Sequence, residues 1–268
     1  MHIVFSDLDG TLLDHHSYGW QPALPALTEI KSRNIPLVLV SSKTAAEMIV
    51  IRDQLGIDSP FIAENGSIVY HDMRDSPAAT NSTLKLNDLK TTVFGKHRSE
   101  ILKVLDELRT VFDYKFRGFS DLGTKGIADV TGLSLADAAL ANEREMSEPV
   151  QWEDSEARKT AFVQKLSEKG ICAIQGGRFL SIQGQTDKSE AMKFVIKAYQ
   201  QEWVGADLHT IALGDSPNDI KMLQLADIAV VVRNDATVQL EFDHPNLHFT
   251  QARGPQGWND SVLSLISR

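Results

Sequence analysis

Residues 2–11 read HIVFSDLDGT. The apolar run at 3–5 is followed by SDLDGT, which contains two aspartates, a glycine and a threonine. The run predicts a short buried strand, and open α/β sheets bind their ligands at the carboxyl ends of such strands. Asp7 and Asp9 lie two residues apart, so on an extended chain their carboxylates point to the same side. Gly10 then allows a tight turn. A turn that merely closes a strand favours similar residues. This stretch alone therefore does not distinguish a ligand-binding site from a simple turn, and other motifs must decide.

A second acidic motif, GDSPND at residues 214–219, also follows an apolar run. Ser216 and Pro217 suit the start of a helix, and capping of that helix is enough to explain Asp219. Capping does not explain Asp215. Two strand ends that both carry aspartates favour a shared hard cation, because such cations prefer carboxylate oxygens.

Two further residues suit the same chemistry. Ser41 ends the apolar run 36–40, whereas helix capping explains the hydroxyls of Ser42 and Thr44 at least as well as a ligand role does. Ser41 is therefore the better candidate for a phosphate contact. Lys188 begins a predicted helix, where a positive charge opposes the helix dipole, and this indicates a role other than surface charge.

This ordered set of motifs resembles that of the haloacid dehalogenase-like phosphohydrolases, and the resemblance extends along the whole chain. It implies that Asp7 attacks phosphorus and forms an aspartyl-phosphate, which splits the reaction into two easier steps. It also implies that Asp9 protonates the leaving group and later accepts a proton from water. Ser41 and Lys188 are implied to hold the phosphoryl oxygens.

The same resemblance implies a bound Mg²⁺, a cation that prefers octahedral oxygen coordination. The implied ligands are the carboxylates of Asp7 and Asp215 and the backbone carbonyl of Asp9. Asp219 is implied either to bind the metal directly or to lie beside its ligands.

Composition limits the classes of partner. The chain has 268 residues, a net charge of −9 and 42% hydrophobic residues, which suffices for a packed core. The negative charge disfavours nucleic acid and anionic membranes, so we expect a small phosphate ester as the partner. The sequence has no apolar run of membrane-spanning length and no signal-peptide pattern, and we therefore expect a soluble, cytoplasmic protein. No heptad pattern indicates an oligomeric state.

The order of elements predicts two units. Apolar runs alternate with helical patterns over residues 1–71 and 188–268, which predicts one doubly wound α/β core with a parallel sheet. Residues 72–187 are predicted to form an inserted α+β cap with an antiparallel sheet, beginning with a polar linker at 72–82. Strands are predicted at 2–6, 36–41, 61–63, 91–95, 114–117, 148–152, 171–175, 178–183, 209–213 and 228–232. Helices are predicted at 22–33, 44–55, 98–111, 123–130, 134–143, 155–168, 188–203, 217–225 and 258–267.

Several phrases outside these motifs are similar to those of the mannosyl-3-phosphoglycerate phosphatases. They are SSKT at 41–44, IAENG at 62–66, TGLS at 131–134, REMSEP at 144–149, GGRF at 176–179 and RGPQGW at 253–258. The resemblance implies hydrolysis of mannosyl-3-phosphoglycerate to mannosylglycerate, a compatible solute, and thus a place in mannosylglycerate biosynthesis. It also implies that the cap selects the substrate.

A substrate of this kind carries a phosphate, a carboxylate and a sugar ring, and it needs a cation for the carboxylate. Arg178 is the first candidate, Lys43 the second and Lys125 the third, although a solvated surface cation explains each of them as well. Glu145 is a candidate for the sugar hydroxyls, unless it belongs to a surface pair at a helix end. Ser42 changes the polarity beside the phosphate and is a further candidate for substrate binding.

Other functions remain open on the sequence alone. A glucosyl substrate differs from a mannosyl one by the orientation of a single hydroxyl, and a broader sugar-phosphate phosphatase would use the same motifs. A phosphomutase would pass the phosphoryl group to a sugar hydroxyl instead of water. A non-catalytic metabolite-binding protein is the fourth alternative, and the intact Asp7, Asp9, Lys188 and Asp215 argue against it.

Overall fold

The structure is a computed structural model that describes residues 1–71, 86, 89–176, 178–234 and 240–267. The described strands are β1 (His2–Ser6), β2 (Leu37–Val40), β3 (Phe61–Ala63), β4 (Ile68–His71), β5 (Lys90–Val93), β6 (Phe116–Gly118), β7 (Ser147–Trp152), β8 (Ile171–Gln175), β9 (Leu180–Gly184), β10 (His209–Gly214), β11 (Ile228–Arg233) and β12 (Leu247–Arg253). The described α-helices are α1 (Leu24–Ser32), α2 (Ala45–Leu55), α3 (Arg98–Phe112), α4 (Phe119–Thr131), α5 (Leu135–Asn142), α6 (Glu156–Glu168), α7 (Lys188–Glu202), α8 (Ile220–Leu225) and α9 (Gly254–Ile266).

The larger of two sheets has eight strands in the order β12-β11-β10-β1-β2-β3-β4-β5. Its strand pairs are parallel from β12 to β3 and antiparallel from β3 to β5. Helices α1, α2 and α9 pack on one face, and α7 and α8 pack on the other. The predicted α/β class with a mainly parallel sheet and a cap is thus confirmed.

Strand β1 lies near the centre of this sheet because its residues are apolar on both sides. Val4 packs into the cluster on one face, while Ile3 and Phe5 pack into the cluster on the other. All three are fully buried. A continuous apolar run is what a parallel strand needs when helices cover both of its faces. This arrangement fixes the end of the strand, and with it Asp7.

The smaller sheet is antiparallel and has four strands in the order β6-β7-β9-β8. Helices α3 and α6 cover it through a core that includes Leu105, Phe116, Val150, Phe162 and Ile182. Helices α4 and α5 form a separate small cluster. Along the chain these elements lie between the two halves of the larger sheet, as an inserted cap would. The exact limits at residues 72 and 187 stay a prediction.

The edges of the large sheet differ from the sequence prediction. Strand β5 pairs with β4 in the large sheet, although the strand predicted at 91–95 was assigned to the insert. Strands β4 and β12 were not predicted. The edge strand β12 alternates polar and apolar residues and is largely exposed, so its sequence lacks the apolar run of a buried strand. The predicted linker at 72–82 lies outside the described residues.

Two helices also begin earlier than predicted. Helix α4 starts at Phe119 and contains a kink at Gly123, whose φ of 60° breaks the regular helical pattern. Helix α9 starts at Gly254, within a Gly- and Pro-rich phrase that suggests a loop. In the described part of the chain, no helix combines the length and apolarity needed to cross a bilayer.

Trp258 joins helix α9 to the end of β1. Its side chain is fully buried, and its indole Nε1 donates to the Ser6 hydroxyl at 2.9 Å. The Ser6 hydroxyl in turn donates to the backbone carbonyl of Asp7 at 2.7 Å. Trp258, the last residue of the RGPQGW phrase, therefore stabilises the backbone of Asp7 through Ser6.

Trp258→Ala should lower the free energy of unfolding by roughly 3–5 kcal/mol, because it opens a cavity in the core. The control is Phe249→Ala, whose side chain is 51% exposed and whose loss should change the stability by no more than about 0.5 kcal/mol. Urea unfolding followed by circular dichroism measures both variants. Equal stability of the two variants would contradict the structural role of Trp258.

Candidate active site

The candidate active site lies at the carboxyl edge of the large sheet. Strands β1, β2 and β10 run parallel, so their ends meet at one edge. Asp7 follows β1, Ser41 follows β2 and Asp215 follows β10. The first residue of α7, Lys188, joins them from the side. Sequence positions far apart along the chain thereby meet in one small volume.

Lys188 is buried to 1% exposure and lies between two carboxylates. Its Nζ is 2.5 Å from Oδ1 of Asp7 and 2.6 Å from Oδ1 of Asp219, and it also donates to the carbonyl of Val40 at 3.3 Å. Burial alone would lower the pKa of this lysine, but the two carboxylates outweigh burial and raise it. Lys188 is therefore a fixed positive charge with all three of its hydrogen atoms engaged.

Asp7 is buried among charges of its own sign. Burial raises its pKa well above the usual range, and the neighbouring Asp219 and Asp215 raise it further, while Lys188 opposes them. One lysine thus faces three carboxylates. Such an excess of negative charge inside a protein favours a cation, because an uncompensated buried charge is costly.

Asp215 is held by two neighbours. Thr11 donates its hydroxyl to Oδ1 at 3.1 Å, and the amide of Asn234 donates to Oδ2 at 2.7 Å. Burial and the charge of Asp219 raise the pKa of Asp215 to about 6, against the effect of these two hydrogen bonds. Asn234 follows β11 and carries no motif of its own, so its role was not predicted from the sequence.

Gly10 allows Asp215 to approach the first motif. A Cβ at this position would lie 2.4 Å from Oδ2 of Asp215, and the φ of Gly10 is 84°. Gly214 has a similar role, since a Cβ there would lie 2.5 Å from the Cβ of Asp219. Both acidic motifs therefore need their glycines for close packing of the carboxylates.

Asp219 uses both of its carboxylate oxygens. Oδ1 accepts from Lys188, and Oδ2 accepts from the backbone amides of Asp215 and Ser216 at 3.0 Å each. The Ser216 hydroxyl also donates to Oδ2, at 3.1 Å. Capping by Asp219, which the sequence predicted, is therefore present together with the ion pair.

Asp7, Asp215 and Asp219 form an acidic cluster that could hold a metal ion. One carboxylate oxygen of each lies within 4.8 Å of the others, and all three residues are buried. Hard oxygen donors in a buried, negatively charged site fit a cation such as Mg²⁺. The carboxylate of Asp9 is not part of this cluster.

Asp9 instead pairs with Lys43. The Lys43 Nζ is 3.0 Å from Oδ2 of Asp9 and 3.9 Å from a carboxylate oxygen of Glu47, and it lies 5.1 Å from the ring centre of Tyr18. Burial lowers the pKa of Lys43, but the two carboxylates outweigh it and leave the pKa raised. The other Asp9 oxygen, Oδ1, is buried and has no hydrogen-bond partner among the described residues.

The loop after β2 presents Ser41 to the same edge. Ser41 is buried, its amide donates to the carbonyl of Ile62 at 3.0 Å, and its hydroxyl accepts from the amide of Lys43 at 3.2 Å. Ser42 offers its carbonyl to Arg144 at 3.1 Å. Thr44 caps helix α2 through its hydroxyl, as the capping box predicted.

The predicted cap residues have other partners. Arg178 is exposed and donates to the carbonyls of Val130 and Thr131 at 2.8 and 2.9 Å, which satisfies the end of helix α4. Glu145 accepts a 2.5 Å hydrogen bond from the buried Tyr70 hydroxyl. In the described part of the chain, neither residue contacts the acidic cluster, and their roles in substrate binding stay predictions.

Glu64 links the large sheet to the cap. This contact was not predicted from the sequence. Its buried carboxylate accepts from the amides of Glu145 and Met146 at 2.8 and 3.1 Å and from the Ser147 hydroxyl at 2.5 Å. Its φ of 48° is unusual for a residue with a side chain. The sequence signals at this position were the IAENG phrase and the Asn65-Gly66 pair, which is typical of a turn.

Asn65 extends this link. Its side-chain amide donates to Gln183 of β9 at 3.2 Å, and its carbonyl oxygen accepts from Asn218 at 3.1 Å. Asn218 belongs to the second acidic motif. The cap therefore contacts the strand ends that carry the candidate active site.

Comparison with known proteins places the chain in a family. The sequence profile described as haloacid dehalogenase-like hydrolase matches residues 4–239. The chain belongs to the haloacid dehalogenase-like hydrolases.

Solved structures share the fold. A Thermoplasma acidophilum protein is 15% identical, with a TM-score of 0.68 over 100% of this chain and 99% of its own. A haloalkanoate-superfamily phosphatase from Bacteroides thetaiotaomicron is 18% identical, with a TM-score of 0.62 over 88% of this chain and 85% of its own. A sucrose-phosphatase from Synechocystis, in complex with sucrose and phosphate, is 17% identical, with a TM-score of 0.61 over 98% and 97%. At these identities the likeness concerns the fold.

Mg²⁺ should stabilise the protein more strongly at about pH 7.5 than at about pH 5, because a metal must displace protons from its carboxylates. The pKa of Asp215 in the folded state, about 6, lies above its ordinary value. Without metal, this group therefore favours the folded state at low pH and loses that contribution as pH rises through 6. Thermal unfolding with and without Mg²⁺ at both pH values measures the difference.

Asp215→Asn should remove most of this metal-dependent stabilisation. An equal shift of the melting temperature at both pH values in the wild type would contradict a metal site built on Asp215.

Proposed function

We propose that this protein is a Mg²⁺-dependent phosphatase that hydrolyses mannosyl-3-phosphoglycerate through an aspartyl-phosphate intermediate. The observation that carries the proposal is the buried Asp7 carboxylate, held by Lys188 beside Asp215 and Asp219 at the end of a central strand. A phosphatase of this type needs a fixed nucleophile, a cation, charge neutralisation and a proton donor. The described residues include candidates for the nucleophile, the charge neutralisation and the proton donor, and carboxylates that could hold the cation.

Asp7 is the proposed nucleophile. Its Oδ1 is held by Lys188, while its Oδ2 accepts no hydrogen bond from a described residue. Attack by Oδ2 forms the bond to phosphorus as the bond between phosphorus and the ester oxygen breaks. Lys188 keeps the orientation of the carboxylate fixed and neutralises negative charge on the phosphoryl group.

Asp9 is the proposed general acid and base. In its protonated form it gives its proton to the leaving ester oxygen, and as a carboxylate it then takes a proton from the attacking water. That water breaks the bond between Asp7 and phosphorus, releases phosphate and restores the Asp7 carboxylate. The Lys43 Nζ lies 3.0 Å from the Asp9 carboxylate.

Ser41 is proposed to donate its hydroxyl to a phosphoryl oxygen. Among the described residues this hydroxyl accepts one hydrogen bond, from the amide of Lys43, and donates none.

The metal is proposed to bind Asp7, the backbone carbonyl of Asp9, and Asp215. When bound, Mg²⁺ neutralises charge on the phosphoryl oxygens and helps to align the ester with the nucleophile. Asp219 already uses both oxygens for Lys188 and the backbone. It is therefore proposed to hold Lys188 and the Asp215 loop rather than to bind the metal.

The choice of substrate rests on the phrases that resemble the mannosyl-3-phosphoglycerate phosphatases. The fold likeness to a sucrose-phosphatase supports a sugar-containing ester in general. A cytoplasmic location and a place in mannosylglycerate biosynthesis are parts of the same proposal.

Asp7→Asn should lower kcat by at least about 10³-fold, because the amide removes the nucleophile without changing its size. Asp9→Asn should lower kcat by about 10²- to 10⁴-fold and let the phosphoenzyme accumulate, since the second step loses its base. Rapid quenching followed by mass spectrometry of the intact protein detects the phosphoenzyme. Asp106→Asn, which changes an exposed aspartate of the cap, is the control.

Substantial turnover by Asp7→Asn would rule out the covalent mechanism. If Asp9→Asn changed neither half-reaction, Asp9 would be only a turn residue.

A substrate panel tests the proposed specificity. It contains mannosyl- and glucosyl-3-phosphoglycerate, 3-phosphoglycerate, hexose phosphates and p-nitrophenyl phosphate, each assayed with Mg²⁺ and with Asp7→Asn as the blank. We expect kcat/KM for the glycosylated acids to exceed the others by at least about tenfold, which corresponds to roughly 1.4 kcal/mol of transition-state stabilisation. Equal or hexose-favouring activity would leave the phosphatase chemistry intact and overturn the substrate.

A further inference from the structure

Arg144 lies in the short connection between α5 and β7, where the cap meets the large sheet. Its side chain is only 9% exposed. One terminal nitrogen, Nη1, donates to the carbonyl of Ser42 at 3.1 Å and to the hydroxyl of Ser147 at 3.0 Å. The guanidinium carbon lies 5.6 Å from the ring centre of Phe119. The cap thus brings a buried cation to the loop that follows β2.

This loop is the proposed phosphate-binding loop. Ser42 directly follows Ser41, and the next hydroxyl, that of Thr44, donates to the carbonyl of Leu140 in α5 at 2.9 Å. Two separate hydrogen bonds therefore join the loop to the end of α5 and the residues after it. A phosphate held at Ser41 would place the rest of its ester beside the segment that carries Arg144.

The guanidinium of Arg144 is incompletely paired. The nearest carboxylate, that of Glu64, is 4.0 Å away and already accepts three hydrogen bonds from Glu145, Met146 and Ser147. The Arg144 Nε is buried and has no partner among the described residues. Its Nη2 makes no hydrogen bond to a described residue either. A buried cation with unused donors is unfavourable unless an anion completes its pairing.

The other cations at this site are already engaged. Lys43 faces Asp9 and Glu47, and Lys188 faces Asp7 and Asp219. A guanidinium has the planar fork that matches a carboxylate, whereas an ammonium group is a point charge. Arg144 is therefore the cation at the junction of cap and core best suited to a second anionic group on the substrate.

We propose that Arg144 binds the carboxylate of the substrate and thereby selects phosphate esters that carry an acid group. This assignment replaces Arg178, whose guanidinium is used by the end of α4. Glu64 is a positioning residue in this scheme, because it holds residues 145–147 that support the arginine. The inference rests on the proposed phosphatase function and names the residue that recognises the carboxylate of the substrate.

The test compares a phosphate ester that carries a carboxylate with one that does not. Arg144→Gln should lower kcat/KM for mannosyl-3-phosphoglycerate by about 10²-fold, the scale of a lost charge-assisted pair. It should change kcat/KM for p-nitrophenyl phosphate by less than about threefold, because that ester has no carboxylate. Arg144→Lys keeps the charge but loses the fork, and we expect an intermediate loss for the acidic ester alone.

Arg158→Gln is the matched control, since Arg158 is a partly exposed arginine of the cap that pairs with Asp154. It should leave both esters unchanged. A second readout is the inhibition of p-nitrophenyl phosphate hydrolysis. Arg144→Gln should raise the inhibition constant of mannosylglycerate about as much as it lowers kcat/KM for the acidic ester, and it should leave that of inorganic phosphate unchanged.

Four results would overturn the inference, and they are distinguishable. Equal loss on both esters in Arg144→Gln and Arg144→Lys, with a lower melting temperature, would make Arg144 a purely structural link. A selective loss of kcat/KM for the acidic ester in Arg178→Gln, with none in Arg144→Gln, would assign binding of the substrate carboxylate to Arg178. A wild-type enzyme that hydrolyses p-nitrophenyl phosphate without preferring acidic esters would remove the proposed substrate, while absence of all turnover would remove the phosphatase function itself.

Discussion

The structure depends on one buried lysine placed between two buried carboxylates. Moving charges out of water costs several kcal/mol for each ion, so Lys188, Asp7 and Asp219 are tolerated inside the protein only in direct contact with one another. Their positions come from three different elements: the end of β1, the start of α7 and the turn after β10. Any shift of one element would leave a charge uncompensated. Together with Asp215, three carboxylates face this one lysine, and the excess of negative charge makes the site suitable for a cation.

Much of the surrounding structure holds these charged side chains in position. Trp258 holds the backbone of Asp7 through Ser6, and Thr11 and Asn234 hold Asp215. On the cap side, Glu64 and Asn65 connect strand β9 and residues 145–147 with the loops of the large sheet. Catalysis by preorganised charges requires this kind of support, since a displacement of about 1 Å already weakens it.

The sequence predicted the core well because parallel strands covered on both faces need continuous apolar runs, as β1, β2 and β10 show. It also predicted which acidic motifs follow those strands, and parallel strand ends necessarily share an edge. Strand β12 was missed because its mixed polarity resembles that of a loop. Strand β5 was predicted as a strand but was assigned to the insert because it follows the polar linker, and the four-residue β4 was missed although it is buried. The pairing of Arg144 with Ser42, or of Asn234 with Asp215, could not be predicted, because each depends on the packing of distant elements.

The cap sequence is inserted between residues that meet in the candidate active site. Asp7 and Lys188 are 181 positions apart, and Thr11 and Asp215 are 204 apart. Because the entropy of closing a loop grows only logarithmically with its length, doubling such an insertion costs the core only about 0.6 kcal/mol. A change in the length of the insert, away from its contacts with Glu64 and Asn65, therefore has little effect on the stability of the sheet below it. In evolution, this topology allows the length of the insert to change while the carboxylates and the lysine stay in place.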